Sequence, residues 1–116
     1  MNLRHHKSLT AEKWGKFPFY QQILMIANEL NRAAKSITLQ DPVETRLCYE
    51  RAMELTFLTI EGIKEKRKLR ELCRFYEMLA ALFINPQTDP RENNALLQAL
   101  ISLDKNSYLA LNPSAK

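Results

Sequence analysis

Residues 64–83 have the sequence KEKRKLRELCRFYEMLAALF, which contains neither glycine nor proline. Apolar side chains recur in it at intervals of three and four residues: Leu69, Leu72, Tyr76, Leu79 and Phe83. This spacing places them on one stripe of an α-helix, and Cys73 and Ala80 widen that stripe. The pattern predicts a central helix of about twenty residues, with an apolar seam for packing and a charged side left in water.

The first half of this helix carries a basic row, defined as Lys66, Arg67, Arg70 and Arg74. Like charges four residues apart destabilise an isolated helix slightly, so the row needs water, carboxylates or an anionic ligand around it. Glu50, Glu54 or Glu61 on the preceding antiparallel helix are candidates for intramolecular pairing. Phosphate groups of RNA or DNA are the alternative ligand.

Two long helices precede residues 64–83. The first is predicted over residues 18–37, where Pro18 suits a first turn and the apolar seam consists of Ile23, Ile26, Leu30, Ala33 and Ile37. The second starts at an Asp-Pro-Val-Glu motif beginning at Asp41 and stops at Gly62. Its apolar arc is broad, which predicts contacts on more than one side, and Arg46 and Glu50 are spaced to pair on its outer face.

A fourth helix is predicted over residues 90–103, where Asp89 repeats the cap pattern of Asp41. A short helical turn is predicted within residues 8–16, capped by Ser8 or Thr10 and ended by Gly15. Short connections between four helices predict an all-α fold, an antiparallel up-down four-helix bundle with this N-terminal turn. The chain forms one domain over residues 1–116, with 1–9 and 113–116 expected to be flexible.

Four bulky aromatic residues lie close together near the start of the chain: Trp14, Phe17, Phe19 and Tyr20. Aromatic side chains bury large areas, so the simpler interpretation is a plug that closes one end of the core. The alternative interpretation is a docking patch for a partner protein.

Composition limits the classes of function. Among the 116 residues are only two glycines, and the net charge is +4 with a pI near 9.2. Two glycines leave no phosphate-binding loop, and the mild basicity permits an anionic partner without requiring one. The basic start at residues 4–7 is not followed by the apolar run of a signal peptide, and no stretch is apolar enough to span a membrane. We expect a cytoplasmic protein.

The sequence provides little for catalysis. His5 and His6 are the only histidines, and Cys48 and Cys73 form no metal-binding spacing. A nucleophile with a base, or a set of ligands for a metal, is therefore not indicated. We predict no enzymatic activity, no cofactor and no metal, with Glu50, Glu54 and Glu61 forming a solvated row.

The middle of the chain, residues 23–84, resembles a family of small all-helical prokaryotic proteins of unassigned function. The residues that carry the resemblance are 50–55 (ERAMEL), 58–60 (LTI), 68–72 (KLREL), Arg74, Glu77, Leu79 and Phe83, with 28–30 (NEL) and 32–33 (RA) in the first helix. The chain departs from the family after Phe83. The resemblance implies a helical fold and no particular activity.

The sequence thus predicts a non-enzymatic bundle that acts through protein–protein contacts, as a homo-oligomer or a small adaptor. Self-association is expected because the helix seams, the aromatic cluster and the apolar tail exceed what four helices bury; Tyr108, Leu109 and Leu111 form this tail. The alternative function is binding of RNA or DNA backbones by the basic row.

Overall fold

A computed structural model describes Leu3, His5, His6 and residues 8–85 and 89–104. This part of the chain is all-helical, as predicted, and contains no strand. The helices are α1 (Ala11–Trp14), α2 (Phe19–Thr38), α3 (Pro42–Gly62), α4 (Lys66–Ile84) and α5 (Pro90–Ile101). The apolar tail at Tyr108, Leu109 and Leu111 and the flexible end predicted at 113–116 lie outside the described residues.

Side-chain caps begin three helices where the sequence predicted them. Thr10 Oγ1 accepts the Lys13 N–H at 3.1 Å, and Asp41 Oδ1 accepts the Glu44 N–H at 3.1 Å. At α5, Asp89 Oδ1 accepts the backbone N–H of Arg91 at 2.8 Å, and this bond lowers the pKa of the exposed carboxyl group. Each cap satisfies a backbone donor that the first turn leaves without a partner.

The predicted seams enter a common core. In α2, Ile23, Ile26, Leu30 and Ala33 are almost completely buried, which confirms four of the five residues of that stripe, whereas Ile37 is half-buried. In α4, Leu72 and Leu79 are fully buried, whereas Tyr76 is only half-buried. Phe75, which the sequence analysis left out of the stripe, is 2% exposed and lies between them.

The central helix is α3, not the stretch 64–83 that was predicted to be central. Helix α3 packs against α1, α2 and α4, whereas α4 packs against α3 and α5, and α5 also packs against α2. The buried residues of α4 are Leu72, Phe75 and Leu79, while buried positions of α3 occur around most of its circumference. The prediction that this helix is contacted on more than one side is therefore confirmed.

Polar side chains inside the core form hydrogen bonds with one another and with helix carbonyls. Tyr49 Oη donates to Asn93 Oδ1 at 2.8 Å, and Asn93 Nδ2 donates to the Leu30 carbonyl at 3.1 Å. The hydroxyl groups of Thr56 and Thr59 donate to carbonyls one turn earlier in α3. These bonds join α2, α3 and α5 and allow a helix rich in threonine to be enclosed.

Two of the described N-terminal residues, His5 and His6, contact α3, and the flexibility of the end over 1–9 stays a prediction. The backbone N–H of His5 donates to both carboxylate oxygens of Glu54, at 3.0 and 3.1 Å, and His5 Nε2 lies 2.9 Å from Glu50 Oε1. Glu54 is 3% exposed, so the predicted solvated row does not include it. Hydrogen bonds to backbone donors make the burial of this carboxylate possible.

Candidate functional site

The aromatic cluster is divided between core and surface. Trp14 is 1% exposed, and its Nε1 donates to Thr59 Oγ1 at 2.8 Å, so it is not accessible to a docking partner. The Phe17 ring meets it edge to face at 5.7 Å. Phe17 and Phe19 are half-buried against the core, while Tyr20 is 40% exposed. Trp14 thus has the position expected of the plug.

The basic row lies on the outer side of α4, where Lys66, Arg67, Arg70 and Arg74 are all exposed. Arg67 Nε lies 3.6 Å from Glu71 Oε1 within the same helix. In the described part of the chain, no carboxylate oxygen lies within 4 Å of the charged nitrogens of Lys66, Arg70 or Arg74. The expected pairing with α3 does not occur there, because Glu50 and Glu54 contact the N-terminal residues instead.

A partly buried ion-pair network joins α2 to α3, and no spacing rule had pointed to it. Arg51 Nε donates to Glu29 Oε1 at 3.0 Å, and Arg51 Nη2 donates to Glu44 Oε1 at 3.0 Å. Burial alone lowers the pKa of Arg51, but the bonds from both glutamates outweigh it and raise the pKa above its ordinary value. Glu29 and Arg51 are on different helices, so only their packing brings them together.

Cys48 lies beside this network, 3.3 Å from Arg51 Nη2. Burial raises the pKa of the Cys48 thiol to about 11, which keeps it protonated and unreactive at neutral pH. Cys73 is exposed on α4. Nowhere in the described ranges do three or more His, Cys, Asp or Glu side chains come together in a way that could hold a metal ion.

An open groove of about 610 Å³ lies where the end of α2, the start of α3 and the end of α4 meet. Its apolar lining consists of Ile37, Pro42, Val43, Leu82 and Phe83, and its polar lining includes Gln40, Asp41, Arg46 and Asn85. The volume is within the range of ligand pockets, and most of the lining is apolar, as in sites that accept apolar groups. We refer to this surface as the groove.

Three large apolar side chains beside or within the groove remain in water. Leu39 is 78% exposed, Val43 70% and Ile84 72%, and they are the three most exposed large apolar residues of the described chain. Leu39 and Ile84 adjoin lining residues in sequence, and Val43 is itself part of the lining. All three lie at helix ends or in a connection, where helical periodicity gives no information about burial, so sequence reasoning missed them.

The groove also contains a cation, Arg46, that has no ion-pair partner among the residues that the structure describes. The Arg46 guanidinium lies over the Phe83 ring, 4.4 Å from its centroid. The expected partner of Arg46 was Glu50, which contacts His5 instead. The ion pairs among the described residues do not include Arg46. Arg46 is exposed and close to the start of α3, where the helix dipole disfavours positive charge.

No protein-family model, curated protein or solved structure matches this chain. The resemblance to small prokaryotic helical proteins therefore stays a prediction. Helices long and apolar enough to cross a membrane do not occur in the described residues.

Proposed function

We propose that the protein is a non-enzymatic helical module that acts through contacts with another protein, and that the groove is its docking surface. The observation that carries this proposal is that the exposed Val43 lines an apolar groove, with the exposed Leu39 and Ile84 next in sequence to other lining residues. Isolated exposed apolar residues are common on soluble proteins, but a group of them around a concave apolar lining is typical of an interaction site.

The proposal includes an antiparallel up-down arrangement of the four long helices. Two observations support it: the start of α3 and the end of α4 line the same groove, and the hydroxyl groups of Ser36 and Thr45 are hydrogen-bonded across the connection from α2 to α3. In such an arrangement the groove lies at one end of the bundle. Its walls are then helix ends fixed by the core, so little ordering is needed when a partner binds.

Selection of peptides displayed on phage tests this function. Twelve-residue random peptides are selected on the full-length protein and compared for binding to the V43D/I84D double variant, measured by isothermal titration calorimetry. Both substituted positions are largely exposed, so the variant keeps its fold. We expect the selected peptides to bind the variant at least tenfold more weakly, since each buried apolar contact is lost. Failure to enrich any peptide, or equal affinity for both proteins, contradicts the proposal.

Self-association is a separate part of the proposed behaviour. Tyr20 and Met78, which are 40% and 41% exposed, offer apolar contacts away from the groove. Sedimentation equilibrium should show a species heavier than the 13.5 kDa chain at high concentration. A monomer over the whole concentration range would contradict self-association but not the docking of a partner in the groove.

Binding of nucleic-acid backbones is the second candidate function, favoured by Lys66, Arg70 and Arg74, which form no ion pair with the described residues. The row extends over nine residues, 66–74, and its ends are about 12 Å apart along the helix axis, which is the length of three to four phosphates along one strand. If four phosphates are contacted, the logarithm of the affinity for single-stranded RNA or duplex DNA falls with the logarithm of salt concentration with a slope of about −3. The R70Q/R74Q variant should reduce this slope, and absence of binding at low salt rejects the function.

A further inference from the structure

We infer that the partner segment combines apolar side chains with a carboxylate that pairs with Arg46. This inference rests on the proposed docking function of the groove and adds the chemistry of the partner. The apolar side chains would cover Val43 and fill the space beside Leu82 and Phe83. The acidic side chain would reach the guanidinium that lies over the Phe83 ring.

The isolation of Arg46 is the first step in the argument. Arg32, Arg51, Arg67 and Arg91 each have a carboxylate within 4 Å, whereas no ion pair of the described residues includes Arg46. Stacking on the half-buried Phe83 ring is a weak substitute for an ion pair, because the Arg46 side chain itself remains exposed to water. An arriving carboxylate could form charge-assisted hydrogen bonds without breaking an existing ion pair of Arg46.

The carboxylates near the start of α3 are already engaged. Asp41 is the carboxylate among the groove-lining residues, and its Oδ1 accepts the backbone N–H of Glu44. The Glu44 side chain accepts from Arg51, which ties it to the partly buried network. Among the described residues neither carboxylate forms an ion pair with Arg46, so the free side of the guanidinium can accept a carboxylate from another molecule.

Shape and charge disfavour two other occupants. A second copy that presented its own groove would place one concave surface against another and leave the space beside Leu82 and Phe83 unfilled. The chain beyond the described residues, 105–116, has the sequence KNSYLALNPSAK and contains no Asp or Glu side chain. A segment of a different protein with apolar and acidic residues fits both the lining and the charge.

The test uses peptides from the selection described above. We expect the selected sequences to combine large apolar residues with Asp or Glu, and we choose one such peptide as the probe. Its matched forms replace the acidic residue by Gln or by Lys. On the wild-type protein, the change to Gln should weaken binding about tenfold and the change to Lys more, because a charge-assisted pair at a partly desolvated site is lost.

The R46Q variant identifies the group that recognises the carboxylate. On this variant the acidic and Gln peptides should differ by less than twofold. R74Q is the matched control, since Arg74 is also exposed and without an ion pair among the described residues, but lies outside the groove lining. It should keep the tenfold difference. A second control, D41N, keeps an oxygen for the cap and should not weaken the acidic peptide.

The outcomes separate this inference from the docking function on which it rests. If peptides lose affinity on V43D/I84D but acidic and Gln forms bind equally, the groove binds proteins and the inference about charge is wrong. If affinity does not depend on V43D/I84D, both are wrong. Conversion of an oligomer to a monomer by V43D/I84D would identify a second copy as the occupant. Tenfold tighter peptide binding after serine replaces Tyr108, Leu109 and Leu111 would identify the chain's own tail, and both results overturn the inference.

Discussion

Helices α3 and α4 have similar lengths, but Arg51 in the middle of α3 and the arginines on the outer side of α4 have opposite surroundings. In α3, Arg51 lies between Glu29 and Glu44, and the helix is enclosed by three others. In α4, Arg70 and Arg74 are exposed on the outer side. The comparison shows that the number of neighbouring helices, more than the composition of a helix, determines which charges take part in folding and which remain available for binding.

The largest loss of stability is expected when the buried side of α4 is truncated at Leu79. This residue is fully buried in α4, and its neighbour in sequence, Met78, is 41% exposed. Leu79→Ala should lower the free energy of unfolding by about 3–5 kcal/mol, since a fully enclosed cavity remains. Met78→Ala should change it by less than about 0.5 kcal/mol. Urea denaturation measures both, and similar values for the two variants would contradict the assignment of the buried side.

A smaller loss of stability is expected when Arg51 is replaced. The same replacement on α4 allows the two helices to be compared directly. Arg51→Met leaves Glu29, which is 6% exposed, without its main partner, at a cost of about 2–3 kcal/mol. Arg32 still pairs with Glu29, which limits the loss. Arg74→Met, the same replacement on α4, should cost less than about 0.5 kcal/mol. Equal urea midpoints for the two variants would show that the α3 network contributes no more than surface charge.

The buried thiol of α3 should make stability depend on pH in alkaline solution. Because burial raises the pKa of Cys48 to about 11, the folded protein keeps this proton at pH values where the unfolded chain loses it. The corresponding stability is fully present below pH 9 and is lost as pH rises through about 11, by about 1–2 kcal/mol. The difference in unfolding free energy between wild type and Cys48→Ala should therefore shrink from pH 8 to pH 10.5. A constant difference would show that the thiol is equally accessible in both states.

The smallest effect on stability is expected for the double substitution R70Q/R74Q on α4. Neither side chain has an ion pair in the described part of the chain, so the unfolding free energy should change by less than about 0.5 kcal/mol. Removing two like charges from one row also relieves a small repulsion between them. Thermal denaturation measures this change, and a loss of several kcal/mol would assign the row to the internal structure of the protein.

Local patterns predicted the helices because local chemistry determines them. The seam of α2 and the caps at Thr10, Asp41 and Asp89 depend on residues within a few positions of one another, and the structure agrees with them. The helix that occupies the centre depends on tertiary contacts. From the sequence alone, the threonines and Glu54 of α3 are expected on the solvent-exposed surface. They are buried because groups distant in sequence and carbonyls of α3 form hydrogen bonds with them.

The candidate site was less predictable than the fold. The exposure of Arg70 and Arg74 follows from helical periodicity, and the sequence analysis identified this row. The groove depends on three helix ends that are distant in sequence and meet only in the folded protein. Arg46 does not pair with Glu50 as expected, because Glu50 contacts His5. Such competition between partners on different segments cannot be derived from spacing within one helix.

The burial of Trp14 has a practical consequence for measuring how this protein opens. It is the only tryptophan of the chain, and its indole N–H is bonded to Thr59 on α3. Its fluorescence emission therefore reports on one docking event, the attachment of the four-residue helix α1 to the far end of α3. Circular dichroism instead follows the long helices. A red shift of the emission at lower urea than the loss of ellipticity would show that α1 detaches as a separate unit, before the rest of the protein unfolds.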